Sequence, residues 1–393
     1  MTHKIKLATV CQQIRGVSYT PKDMAEIPTE GYIPILRANN IQEKLVFNEL
    51  VYVNANKISE IQLLKGGDIV VCASSGSKNL VGKAARFVSS PVDQVSFGAF
   101  CKVVRPRNID ASYLSHFFNS SYYRNTISKI AQGASINNIR NEHLDNLDIN
   151  VPTPSEQKRL AERLDKVQEL IAKQKEQIAK LDLLIKSRFL DMFGDPITNP
   201  KNWPLFPLGK FISISGGFAF PSSEFKESGL PIVRIGNINS GVFKDDHFVF
   251  YQENEKLRKY LVYPDDLVLS LTGTVGKDDY ANICFIGKKY ARYYLNQRNA
   301  KLVLTSNLDK TFIWQIFKSP EIKKRLTSLN RGVRQANISN QDILNLKVIY
   351  PDLFLQTQFA NFVKSVEQQK EVFSARLSNL EVLYKSLMQE YFG

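Results

Sequence analysis

One block of sequence is written twice in this chain of 393 residues. Pro34-Ile35-Leu36-Arg37, followed by Asn40-Ile41, returns as Pro231-Ile232-Val233-Arg234, followed by Asn237-Ile238. Gly67-Asp68-Ile69-Val70 returns as Asp265-Asp266-Leu267-Val268, and each is followed by a small polar stretch, Ala73–Ser77 or Leu271–Thr274. Gly133 with Asn138-Ile139 matches Gly332 with Asn337-Ile338, Pro152 and Gln157 match Pro351 and Gln356, and Phe193-Gly194 matches Phe392-Gly393. The offset drifts only from 197 to 199 along the whole length. A repeat this long is a domain with its connector, not a solenoid turn. Whatever fold is assigned to one copy therefore has to hold for the other.

Each copy mixes strand and helix signals, so the expected fold class is α+β: two tandem α+β domains, each followed by a long helix. Short β-branched and aromatic runs bounded by turn residues, Tyr32–Leu36, Asp68–Cys72 and Phe100–Val104, read as strands. Ser112–Ile130 and its counterpart Lys310–Leu329 read as amphipathic helices. A glycine-bearing loop follows each, then a brief strand, Leu147–Val151 or Leu346–Tyr350.

The connector is the most regular part of each copy. Thr153, Pro154 and Glu156 make a capping-box helix start, and no Gly or Pro interrupts the chain from there to Gly194. Leu160, Leu164, Val167, Ile171, Ile178, Leu181 and Ile185 recur in steps of three and four, with Gln174 in the one polar slot. That is a heptad seam, and roughly 35 residues at about 1.5 Å each make a rod on the order of 50 Å long. The second copy keeps the seam at Phe359, Val363, Val366, Phe373, Leu377, Leu380, Tyr384 and Leu387, interrupted by Lys370. Its start is weaker, because Leu355 replaces the glutamate, although Asp352 can cap. The alternative is a long amphipathic helix packed on its own domain. Two matched rods favour pairing with each other, and antiparallel pairing, with pseudo-twofold symmetry, keeps the two basic domains apart. Burying about eight apolar residues per rod at roughly 1.5–3 kcal/mol each suffices to hold such a coiled coil. The expected boundaries are a first domain over 1–152, a helix over 153–194, a second domain over 195–351 opening with a Pro- and Asn-rich linker at 195–203, and a helix over 352–393.

The net charge of +14 is unevenly placed. Lys+Arg minus Asp+Glu is 17−12 over residues 1–150 and 22−14 over 195–350, but 9−7 and 4−5 in the two helical segments. Basic globular blocks beside near-neutral rods suggest that the blocks meet a polyanion and the rods meet protein. Cys11, Cys72, Cys101 and Cys284 stand apart from one another and from the four histidines, which argues against zinc or disulfides and for a reducing, cytoplasmic setting. The start of the chain lacks the apolar run of a signal peptide, and no stretch reaches the length of a membrane span.

Catalytic motifs are missing. There is no GxxxxGK[ST], GxSxG or HExxH, and Thr272-Gly273-Thr274-Val275-Gly276-Lys277 has the wrong spacing for a phosphate loop. No Asn/Asp-Pro-Pro-aromatic tetrapeptide of a base-amino methyltransferase occurs. The acidic pairs Asp245-Asp246, Asp265-Asp266 and Asp278-Asp279 read as turns or solvated faces before they read as Mg²⁺ ligands, and His116 as a packed or surface residue. No catalytic residue and no metal site is assigned.

With the repeat, the helices and the missing active site in view, the chain resembles the specificity subunits of type I restriction–modification systems over essentially its whole length. The residues that carry the likeness are Pro152-Thr153-Pro154-Ser155-Glu156-Gln157, the Pro-x-x-Arg-x-x-x-Ile pattern in both halves, the Gly-Asp-Ile and Asp-Asp-Leu strands before a Ser/Thr-Gly loop, and Leu295-Asn296-Gln297-Arg298. Two departures stand out. The second helix start has lost its first Glu, and the first copy lacks a counterpart of Trp203-Pro204. The resemblance implies that each globular block is a target-recognition domain reading one half of a bipartite, asymmetric site in double-stranded DNA. It implies that the paired helices set the spacing and bind two modification subunits. Those subunits would methylate adenine with S-adenosylmethionine, and a restriction subunit using ATP and Mg²⁺ can join; this chain would bind no cofactor itself.

Residue chemistry then nominates the reading loops, since phosphates want Lys, Arg and small polar groups while base edges want rigid Arg, Lys, Asn and Gln. The first half offers Ser75, Gly76, Ser77, Lys78, Asn79 and Lys83, with Ser135, Asn137, Asn138 and Arg140. The second offers Thr272, Gly273, Thr274 and Lys277, with Arg331, Arg334, Gln335 and Asn337. Tyr290–Arg298, which carries Arg292 and Arg298 among aromatics, could lie along a groove. Arg37 and Arg234 read as structural. Two other readings stay open: a single-chain DNA-modifying enzyme, which would need an S-adenosylmethionine pocket, and a coiled-coil adaptor that binds no DNA.

Overall fold

The computed structural model describes residues 3–77, 80–132, 138–274, 277, 279–305, 307–328 and 335–393. Contacts divide the chain into two units, Met1–Glu176 with Ser374–Gly393, and Gln177–Phe373. The divisions fall inside the long helices and not at their ends, because each half of a helix packs on a different globular body.

The first unit runs β1 (His3–Lys6), β2 (Cys11–Arg15), β3 (Met24–Ala25), β4 (Tyr32–Leu36), β5 (Val51–Asn54), β6 (Ile69–Cys72), β7 (Ala84–Arg86), β8 (Ser96–Phe97), β9 (Cys101–Pro106), α1 (Ala111–Asn119), α2 (Ser121–Gln132), α3 (Asn141–Asp145), β10 (Asp148–Val151), then enters the long helix α4 (Pro154–Phe193). Two four-stranded sheets form, in the orders β2-β9-β6-β7 and β3-β5-β4-β8. The run Ile69–Cys72 is buried at every position, as suits a strand covered on both faces. One core lies against the helices, around Tyr113, Leu114, Phe117 and Tyr123, and another around Leu36, Val70, Phe97 and Val103.

The second unit repeats the plan with β11 (Leu205–Pro207), β12 (Ile212–Gly216), β13 (Leu230–Val233), α5 (Ile235–Ile238), β14 (Val249–Tyr251), β15 (Leu261–Val262), β16 (Leu267–Ser270), β17 (Thr272–Thr274), β18 (Ile283–Phe285), β19 (Tyr293–Leu295), β20 (Asn299–Leu304), α6 (Lys310–Phe317), α7 (Pro320–Ser328), β21 (Gln335–Asn337), α8 (Asn340–Leu344), β22 (Lys347–Ile349) and the long helix α9 (Leu353–Phe392). Its sheet β12-β20-β16-β18 has the order of β2-β9-β6-β7. The parallel pairs β4–β8 and β13–β19 also correspond.

Two segments expected as single helices are each broken in two. Ser120 takes extended backbone between α1 and α2, and its hydroxyl accepts the Tyr123 N–H at 3.2 Å. Ser319 and Pro320 do the same work before α7, with proline at the first helical position. Serine at a cap competes with continuation of the helix, and this outweighs the amphipathic period. Arg37 and Arg234 follow their strands instead of lying within them. Their backbone N–H groups donate to the buried Asn40 and Asn237, and their guanidinium Nη2 atoms donate to Glu49 O and His247 O, both at 2.9 Å.

The matched glutamines have a physical reason. Gln157 is buried at the start of α4; its Oε1 accepts the Asp110 N–H at 2.8 Å and its Nε2 donates to Pro152 O at 2.8 Å. Gln356 repeats both bonds, from Asp309 N at 3.0 Å and to Pro351 O at 2.9 Å. Asp110 and Asp309 in turn cap α1 and α6. One side chain thus ties the long helix to the globular body in each unit. Gln356→Ala strands a buried donor and a buried acceptor, and is expected to lower stability by about 1–3 kcal/mol, read by chemical denaturation of the full chain. A loss within experimental error would show that water replaces both bonds.

Within each unit the helix segments run antiparallel. In the first, Gln168 Nε2 donates to Tyr384 Oη at 2.8 Å and Arg163 Nη1 to Tyr391 Oη at 3.3 Å, and Leu164 and Val167 share a core with Leu387, Met388 and Phe392. In the second, Lys370 meets Asp182 at 2.7 Å, and Ile185, Phe189 and Phe193 share a core with Phe359, Val363 and Val366. Seam residues near the globular bodies are buried. Leu160, Ile171, Ile178, Leu181, Phe373, Leu377, Leu380 and Tyr384 are half-buried. The interrupting Lys370 is explained by its partners: burial opposes its charge, but Asp182 and Glu367 outweigh that and raise its pKa. His116 is buried between α1, α4 and α9, with Nε2 at 2.9 Å from Asp165 Oδ1 and Nδ1 at 3.2 Å from Tyr384 Oη.

Candidate nucleic-acid interface

At one end of the strands in the first unit, four loops converge: Val17–Tyr19 after β2, Arg37–Asn39 after β4, Ser74–Gly76 after β6, and the turn Gly98–Cys101 between β8 and β9. They line a pocket of about 650 Å³. Val17, Gly98 and Cys101 are buried in its floor, while Ser18, Asn39, Gly76, Ala99 and Phe100 are exposed at its lip. The floor is held by close backbone approach. A Cβ on Gly16 would sit 2.1 Å from Gly98 O, and one on Gly217 of the second unit 2.2 Å from Asn296 O. Only glycine fits at either position.

The backbone joins the loops that residue chemistry nominated. In the first unit the Phe100 carbonyl accepts from Ala73 N at 2.8 Å and Ser74 N at 3.0 Å, the Ala73 carbonyl accepts from Ile139 N at 2.8 Å, and Ser74 bridges Asn138. In the second the Arg298 carbonyl accepts from Leu271 N at 2.9 Å, the Leu271 carbonyl accepts from Ile338 N at 2.9 Å, and β17 pairs with β21 so that Thr272 faces Asn337. The loop after the Asp-bearing strand and the end of the glycine-bearing loop therefore lie side by side in both units.

The candidates sort as follows. Gly76, Ser77, Asn138, Arg140, Thr274, Lys277, Arg298 and Asn337 are exposed, and Ser75, Lys83, Thr272 and Gly273 are half-buried. Arg140 Nη1 lies 3.3 Å from Glu142 Oε1, an exposed pair that costs little to open. Thr274 is fixed by Asp279, whose carboxylate accepts its N–H at 2.8 Å and its hydroxyl at 2.9 Å; the Thr274 N–H is the main cause that holds the Asp279 pKa below its ordinary value. Gln335 lies on β21. Lys78, Asn79, Ser135, Asn137, Arg331 and Arg334 lie outside the described residues.

The groove reading of Tyr290–Arg298 does not hold as drawn. Tyr293, Tyr294 and Leu295 form β19 and are fully buried, so the two tyrosine rings belong to the core. Arg292 is half-buried and paired with Glu253 at 2.9 Å. Arg298 alone of the segment's arginines stands exposed beside the reading loops. Sequence reasoning also missed Phe100, which is 70% exposed at the pocket lip. Aligning the two copies through Leu295-Asn296-Gln297-Arg298 would have found it, since Phe97-Gly98-Ala99-Phe100 is the matching turn.

The chemistry offered here is hydrogen bonding, charge and one apolar ring. Burial pushes the Cys11, Cys101 and Cys284 thiols up to about 12, which makes them poor nucleophiles at neutral pH. Among the described residues no group of three or more His, Cys, Asp or Glu could hold a metal, and no helix is long and apolar enough to cross a membrane. Asp266 accepts the Tyr263 N–H at 2.8 Å and pairs with Lys301 at 2.6 Å, so that acidic pair builds a turn.

Comparison with known proteins accords with this picture. Residues 3–182 and 200–382 each match the family profile described as the type I restriction modification DNA specificity domain. The type I restriction enzyme EcoKI specificity subunit of Escherichia coli (strain K12) is 30% identical over 400 residues, covering 95% of this chain and 85% of that one. The StySPI specificity subunit of Salmonella potsdam is 30% identical over 413 residues, covering 98% and 86%. Among solved structures, a type I restriction–modification S subunit from M. genitalium superposes with a TM-score of 0.61 at 16% identity, covering 100% of this chain and 96% of that one, a likeness of fold.

Proposed function

The chain belongs to the specificity subunits of type I restriction–modification systems and supplies their DNA sequence specificity, and we propose that it does so by reading a bipartite, asymmetric target, one half-site to each globular body. The observation that carries the proposal is the duplicated loop cluster. The same backbone hydrogen bonds recur in both units, while the residues presented on them differ: Phe100 against Arg298, and Ser74-Ser75-Gly76 against Thr272-Gly273-Thr274. A shared frame with different reading groups is what two unlike half-sites require. Each correctly read base pair is worth roughly 1–3 kcal/mol.

In this reading the chain is a recognition subunit and not a catalyst. The long helices set the spacing between half-sites and receive modification subunits, two in number. Those subunits use S-adenosylmethionine, and a restriction subunit, where it joins, uses ATP and Mg²⁺; this chain binds none of them. The setting is cytoplasmic. The test is to map methylated adenines in DNA exposed to the assembled methyltransferase and to footprint the target. Two unlike half-sites separated by an unread spacer are expected, with affinity falling steeply as salt rises. A palindromic or continuous footprint, or affinity indifferent to salt, counts against the reading.

A further inference from the structure

We propose that Phe100 is the first domain's counterpart of Arg298: a specificity-determining side chain that packs on the 5-methyl group of a thymine in the half-site read by that domain. The inference rests on the proposed half-site reading and goes beyond it.

Three observations lead here. The first is positional. The carbonyls of Phe100 and Arg298 accept the equivalent N–H groups of Ala73 and Leu271, and the two turns are anchored alike, Gly98 N to Leu36 O at 2.9 Å and Asn296 N to Val233 O at 3.1 Å. The two side chains therefore leave the same point of the same fold. The second is exposure. Phe100 is 70% exposed, which leaves a large aromatic surface free to meet a partner where the loops converge. The third is company. The ring shares the pocket lip with Ser18, Asn39, Gly76 and Ala99, and Ser75 lines the same pocket, so polar groups able to meet a base edge or a phosphate stand beside it. A duplex edge engaged by those polar groups would meet the ring as well.

The chemistry of the ring selects the contact. It has no donor or acceptor for a base edge and no charge for a phosphate. The thymine 5-methyl is the one apolar group the bases present in the major groove, and phenylalanine suits it. Arginine at the same point suits guanine O6 and N7. Exchanging one for the other changes which base is read without moving the frame.

The experiment uses the full chain in its assembled methyltransferase, on duplexes carrying the mapped target with each thymine replaced singly by deoxyuridine, which removes only the methyl. Dissociation constants are measured at one fixed salt concentration. The wild type is expected to lose roughly fourfold at one thymine, about what burying a CH₂ group is worth, in the half-site that Arg298→Ala leaves untouched. Phe100→Ala should bind that target more weakly and no longer distinguish thymine from deoxyuridine there. Phe100→Leu, which keeps an apolar group at the position, should retain most of the discrimination, so that a folding defect in the alanine variant does not decide the matter. A flat deoxyuridine scan across that half-site, or undiminished discrimination in Phe100→Ala, overturns the inference. A defined bipartite target with a flat scan sinks this inference alone, whereas absence of any defined target sinks the half-site reading with it.

Discussion

Phe392→Ala is expected to loosen the globular body formed by β1 to β10, and Phe193→Ala the one formed by β11 to β22, each the opposite of what its place in the sequence suggests. The Phe392 ring lies 5.0 Å from Tyr113 and 6.1 Å from Phe117, both on α1. The Phe193 ring lies 4.9 Å from Phe312 on α6 and 5.6 Å from Phe359. All of these rings are buried. Cutting a buried Phe to Ala costs about 3–5 kcal/mol, a large share of the roughly 5–15 kcal/mol that holds a domain. Hydrogen exchange followed by mass spectrometry on the full chain resolves the two bodies separately. In Phe392→Ala protection should fall across α1 and its sheet, with recognition of the first half-site lost and the second body unchanged. Equal loss in both bodies would mean that the unit boundary within the helices is not a boundary in stability.

This crossing was only half legible in the sequence. The heptad period identified both helices, and the twin Phe-Gly endings were visible as a repeat, but nothing local says that Phe193 packs on α6 and Phe392 on α1. Which core an aromatic residue joins is a long-range choice, set by where the chain returns. The cap at Thr153 was legible because it is local: Thr153 N donates to Glu156 Oε2 at 3.1 Å and Glu156 N to Thr153 Oγ1 at 3.4 Å. The substitute at Asp352 was legible for the same reason, its carboxylate accepting the Phe354 N–H at 2.7 Å.

The recognition loops show the opposite limit. Residue chemistry nominated small polar and basic groups, and the backbone does bring Ser74 to Asn138 and Thr272 to Asn337. Period and composition misjudged Tyr290–Arg298, because a strand buried on both faces and an aromatic stacking strip share the same residue types. Only burial separates them: Tyr293 and Tyr294 complete a sheet, and Arg298, past its end, reaches solvent. Phe100 escaped notice because an apolar residue in a strand-like run is ordinarily core. Duplication is the signal that corrects both errors, since a position filled by Arg in one copy and Phe in the other is under no packing constraint.

Removing one heptad from each long helix, residues 173–179 together with 373–379, is the strongest test of the proposed spacing role. The paired deletion respects the antiparallel contacts in each unit, since Gln168 with Tyr384 lies on one side of the cut and Asp182 with Lys370 on the other. It also keeps the seam in phase, bringing Leu181 to the place of Gln174 and Leu380 to that of Phe373. Seven residues shorten a helix by roughly 10 Å, about three base pairs of duplex at 3.4 Å each, yet turn its face by only about 20°. Three base pairs turn the duplex by roughly 100°, given 10–10.5 per turn. Translation and rotation cannot both be matched, so the original target should be lost. Any specific methylation that survives should fall on the same two half-sites with a changed spacer. Mapping methylated adenines reads the outcome, and hydrogen exchange confirms that both globular bodies stay folded. An unchanged target with an unchanged spacer would show that the helices do not measure the distance between half-sites, and would leave the recognition loops without their ruler.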